Sequence, residues 1–64
     1  MTDHQLDAVY TTMCRTLARL GEKGAPLFLA RFALLALVEL NDQAIALRLI
    51  EAAEQDLPVD ATAP

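Results

Sequence analysis

The segment from Pro26 to Leu40 constrains this chain most, because it is apolar nearly all the way round. Leu27, Phe28, Leu29, Phe32, Leu34, Leu35, Leu37, Val38 and Leu40 leave a helix built from it without a polar face. A helix of that kind has to be surrounded. Only Arg31 and Glu39 interrupt it, and their spacing of eight puts them on roughly the same side. Crossing a bilayer takes roughly 20 predominantly apolar residues. The interrupted run falls short of that and reads as a buried helix.

Punctuation on either side of this segment divides the chain. Gly21-Glu22-Lys23-Gly24-Ala25-Pro26 has the composition of a loop, with Gly21 suited to a left-handed helix cap and Pro26 to the first turn of a new helix. Before it, Thr2 and Gln5 have capping-box spacing. Leu6, Tyr10, Met13, Leu17 and Leu20 then recur at intervals of 4, 3, 4 and 3, a narrow helical seam that Val9 widens. Asp3 and Asp7 near the start, and Arg15 and Arg19 towards the end, suit the helix dipole.

After the central segment, Asn41-Asp42 is a second break, both being residues that favour helix caps. Beyond it Ile45, Ala46, Leu49, Ile50, Ala52, Ala53 and Leu57 fill one side of an amphipathic helix, opposite Arg48, Glu51, Glu54 and Gln55. Pro58 ends the last period. The expected architecture is all-α: three helices at 3–20, 26–40 and 42–57 in one domain of residues 1–57, followed by a disordered C-terminal tail at 58–64.

Size and composition narrow the function. A chain of 64 residues is expected to bury only roughly 60% of its unfolded surface, and its core to supply ~3–5 kcal/mol. A hydrophobic fraction of 55% excludes disorder as the main state. One cysteine, Cys14, excludes an internal disulfide and fits a reducing cytoplasm. Met1-Thr2-Asp3-His4-Gln5 has no basic region and no apolar run directly after it, which argues against a secretory signal. Nine acidic residues against five basic ones disfavour a nucleic-acid partner.

Chemistry-bearing residues are sparse. His4 and Cys14 are ten positions apart and do not share one metal ion within a copy, so they read as a solvated first-turn residue and a small apolar filler. Glu51 and Glu54 lie on a charged face with Arg48 and Gln55. The chain has no serine, and Thr11, Thr12 and Thr16 have no neighbouring histidine to activate them. Gly21 and Gly24 lack the pattern of a phosphate loop. No catalytic residue, metal site or cofactor is therefore expected.

Two flanking helices cover only part of the central one, and a contiguous apolar patch left in water marks an interface. A second copy covers it most simply, since a two-fold dimer uses one patch twice. The expected contact residues are Tyr10, Met13, Leu17, Phe28, Phe32 and Leu35, with Arg31 orienting the pair and Glu39 meeting Arg31 of an antiparallel second copy.

Phe28-Leu29-Ala30-Arg31-Phe32-Ala33-Leu34-Leu35-Ala36-Leu37, followed by Asp42, resembles the L-N-A-R-L-x-L-L-L-A core of a small bacterial helical domain family of unknown function. Asp7-Ala8-Val9-Tyr10 resembles the aspartate-x-x-tyrosine entry of that family, and the likeness spans residues 6–53, with Leu29 in place of its asparagine. The resemblance implies a short cytoplasmic protein, of a kind often encoded beside flavin-dependent oxidoreductases. The expected function is a non-catalytic protein–protein interaction module, homodimeric or an accessory small subunit of a larger enzyme. Two alternatives stand beside it: a small regulatory anti-activator that masks a partner by helix-in-groove docking, and a dimeric binder of a small apolar ligand.

Overall fold

The computed structural model describes residues 1–60, and among them the chain is helical without strands: α1 spans Asp3–Leu40 and α2 spans Gln43–Glu54. There are two helices where three are expected, because the loop predicted at residues 21–26 contracts to one residue. Gly21 alone leaves helical geometry, at φ 71° and ψ −168°. Its positive φ is the one anticipated for a cap, but its ψ lies outside the left-handed helical well, in a region open essentially to glycine alone. Helix α1 is thus an elbow with two limbs, residues 3–20 and 22–40.

The residues beside Gly21 shape the elbow. Pro26 sits inside the second limb rather than at its first position. Having no N–H, it cannot donate to the carbonyl of Glu22, so the hydrogen-bond ladder is loosened next to the bend. At Gly24 a Cβ would lie 3.0 Å from the Cβ of Leu20. Its absence lets the backbone beyond the bend close against the last turn of the first limb.

Local capping accounts for the other boundaries. The Gln5 N–H donates to Thr2 Oγ1 at 3.1 Å and the Thr2 N–H donates to Gln5 Oε1 at 2.9 Å, a complete capping box. Asn41 closes α1 in the left-handed conformation (φ 51°, ψ 43°), its N–H donating to the carbonyl of Leu37 at 3.0 Å. Asp42 opens α2 by accepting the Ile45 N–H on its carboxylate at 3.0 Å. Two adjacent cap residues with opposite tasks turn the chain.

Helix α2 stops at Glu54, three residues before the expected Leu57. Gln55 turns out of helical geometry with ψ 136°, and Asp56 adopts φ 61°. Pro58 biases Leu57 towards extended backbone, which blocks another turn. Residues 57–60 carry no helix. The remainder of the expected tail, residues 61–64, lies outside the described residues.

Packing is sparse. No described residue is buried, and no two described Cα atoms twelve or more positions apart come within 8 Å. The half-buried residues form two groups: Met13, Thr16, Leu17, Gly24, Ala25 and Phe28 around the elbow, and Leu37, Ile45 and Ala46 at the connection. The radius of gyration is 13.9 Å, against ~10.7 Å for a compact domain of this length. The chain exposes 6098 Å² at a mass of 7.0 kDa, where a compact monomer exposes ~4,000 Å² and an unfolded chain ~10,000 Å². Folding the single chain therefore hides about 40% of the unfolded surface, not the roughly 60% expected. The core this composition calls for is not closed within one chain.

Candidate interaction surface

The elbow folds the two limbs of α1 around a groove of about 330 Å³ lined by Val9, Thr12, Met13, Thr16, Phe28 and Phe32. Each limb supplies side chains at helical spacing. Val9, Thr12, Met13 and Thr16 share one face of the first limb, and Phe28 and Phe32 stand one turn apart on the second. The two rings stack with centroids 6.2 Å apart and planes inclined by 25°. That separation lies within the range of attractive aromatic pairs.

Two of the groove residues are polar by type and apolar by presentation. Thr12 Oγ1 donates to the carbonyl of Ala8 at 3.0 Å, and Thr16 Oγ1 donates to the carbonyl of Thr12 at 2.9 Å. With the hydroxyls turned back on their own helix, these threonines have no unmet polar need in the groove. Read as possible nucleophiles, they gave no hint of this role. The usable signal was their i,i+4 spacing beside Met13, which puts both on the flank of the apolar seam.

The structure divides the expected contact residues. Met13, Phe28 and Phe32 line the groove, and Leu17 is half-buried beside it. Tyr10 lies exposed on the outer part of the same seam. Leu35 is 67% exposed and lies outside the groove, with Leu34 at 64% and Val38 at 66% on the same limb. Arg31 and Glu39 are both exposed and make no ion pair with each other within the chain.

Other features hold no assembled chemistry. A second depression runs past His4, Asp7, Ala8, Thr11, Thr12 and Arg15, all on the first limb, so nothing faces these groups from another element. Cys14 is exposed rather than packed as an apolar filler, because its position on the first limb falls between the seam and the polar side. Among the described residues, no group of three or more His, Cys, Asp or Glu side chains could hold a metal ion. No helix among them is long and apolar enough to cross a membrane.

What the arrangement can do is bind. It offers an apolar groove floored by an aromatic pair and an uncovered apolar limb beyond it. Comparison with protein-family models, with curated proteins and with solved structures finds no match for this chain.

Proposed function

We propose that this chain is a non-catalytic, cytoplasmic protein–protein interaction module that works as a homodimer through α1. One observation carries the reading: the 6098 Å² exposed by a single chain. That exceeds a compact monomer by about 2,000 Å². A standard protein–protein interface removes ~800 Å² from each partner, and obligate homodimers bury ~2,000–5,000 Å² in total. Two copies that each cover the excess fall inside the obligate range. The apolar character of the uncovered residues, Leu34, Leu35 and Val38 among them, supports the same reading. Sedimentation equilibrium on the purified chain at micromolar concentration tests it, with a dimer expected. A stable, folded monomer would overturn it.

The second reading is an accessory subunit seated against a larger flavin-dependent enzyme. It draws on the resemblance through residues 6–53 and on the same open limb. Co-purification of a natively expressed, tagged copy separates the two: recovery of a stoichiometric large enzyme favours the accessory role, and recovery of the chain with itself alone favours the homodimer.

A further inference from the structure

We propose that the two copies exchange their C-terminal helices, α2 of each lying in the elbow groove of the other. The proposal rests on the homodimer reading above and adds which surfaces meet.

The groove cannot be filled by α2 of its own chain. Leu37 follows Phe28 by nine positions, which at 100° per residue is half a turn round the second limb. Leu37 is the half-buried residue at that end of the limb, and Ile45 and Ala46 are the half-buried residues of α2. Helix α2 therefore leaves α1 from the side opposite the groove. The connection is only Asn41 and Asp42, both committed to caps, which leaves no length to carry α2 round the limb. Beyond the connection α2 hardly touches α1. Past Ile45, its stripe of Leu49, Ala52 and Ala53 is without a partner, and Leu49 stays 55% exposed.

The groove suits that stripe. Helix α2 is 12 residues long, about 18 Å, and the groove wall from Val9 to Thr16 runs for about 10 Å. The helix thus spans the groove with a turn to spare. Ala52 and Ala53 allow a helix backbone to come close to the stacked rings, and Leu49 supplies an apolar side chain that enters the space between the limbs.

Charge points the same way. Arg15, Arg19, Lys23 and Arg31 against Glu22 make residues 15–31 net +3, and these are four of the five cations in the chain. Asp42, Glu51, Glu54, Asp56 and Asp60 against Arg48 make the arm of residues 42–60, which carries α2, net −4. Two elbows laid together repel, whereas an elbow laid against α2 of a second copy attracts. Arg19, seven positions after Thr12 and three after Thr16, borders the Thr12–Thr16 side of the groove and is the cation beside an occupant there.

A crosslinking experiment on the full chain tests the exchange. Two populations are prepared in a Cys14→Ala background, one carrying Thr16→Cys and the other Leu49→Cys. They are unfolded together, refolded, and treated with a short bis-maleimide. Light scattering reports assembly and circular dichroism reports helicity. The expected result is a helical dimer with a covalent link between the two populations. A helical dimer that gives no such link overturns the exchange and leaves the homodimer reading standing, whereas a helical monomer overturns both. A charge reversal checks the same geometry without new thiols: Arg19→Glu raises the dimer dissociation constant about fivefold. An unchanged dissociation constant for Arg19→Glu counts against the exchange.

Discussion

The two limbs of α1 belong to one helix and make opposite demands. The first, residues 3–20, has an apolar seam and a polar side on which His4, Thr11 and Arg15 meet water. One neighbour satisfies it. The second, residues 22–40, is apolar nearly all round from Leu27 onward, broken only by Arg31 and Glu39, and needs at least two. The elbow gives each limb the same single contact, around Met13, Thr16 and Phe28. That contact leaves Leu6, Val9 and Tyr10 of the first limb about half exposed, and Leu34, Leu35 and Val38 of the second about two-thirds exposed. The difference teaches where the missing surface belongs. In the proposed homodimer, the open side of the second limb belongs to the surface that the two copies cover.

The sharpest way to break this comparison is a charge placed on each limb in turn. Phe32→Asp is expected to raise the dimer dissociation constant at least roughly a hundredfold, since it puts an unpaired carboxylate among desolvated apolar groups. Thr11→Asp, on the polar side of the first limb, is expected to leave association unchanged. Analytical ultracentrifugation of both variants reads the contrast directly.

Next in size is the joint between the limbs. Gly21→Ala forces a Cβ into φ 71° and ψ −168°, at a cost of ~1–3 kcal/mol. It is expected to open the elbow and raise the radius of gyration in small-angle scattering at dissociating concentration. An unchanged scattering profile would mean that the bend does not depend on glycine.

The caps follow at ~1 kcal/mol each. Thr2→Ala should fray only the first limb, and Asp42→Ala only α2, with amide exchange showing protection lost in the affected helix alone. Coupled loss in both would show that the elements cooperate more than their sparse contacts suggest.

The smallest expected effect belongs to Arg31. Arg31→Ala should weaken association roughly threefold while leaving helicity intact, as befits a rim charge that orients partners more than it binds them. Unchanged association would make Arg31 a solvent-exposed break in the apolar limb and nothing more.

Much of the local structure was legible in the residues. Thr2 and Gln5 announced the start of α1, and Asn41-Asp42 its end, because capping is decided within four residues. The seam from Leu6 to Leu20 was legible for the same reason. The reading failed at residues 21–26, where two glycines and a proline resemble a loop. A glycine can also make a bend in a single residue, and composition does not distinguish the two. The reading failed again at Cys14, whose type suggests burial while its face does not provide it.

The groove was half legible. Met13, Phe28 and Phe32 followed from their apolar type, but Thr12 and Thr16 did not, since their role depends on hydroxyls turned back to the carbonyls of Ala8 and Thr12. Periodicity ranks side chains by type and is blind to where a hydroxyl points.

By itself, the sequence determined that the chain is helical, where its helices are capped, and that its central segment carries more apolar surface than two neighbours can cover. These follow from interactions a few residues long and from counting faces. Only the tertiary structure decided that the limbs meet through a one-residue bend, that Phe28 and Phe32 floor a groove on one side, and that α2 departs on the other. Those outcomes depend on two backbone angles at Gly21 and on the half turn between Phe28 and Leu37. Small rotations there move whole helices, and no local pattern records their sum.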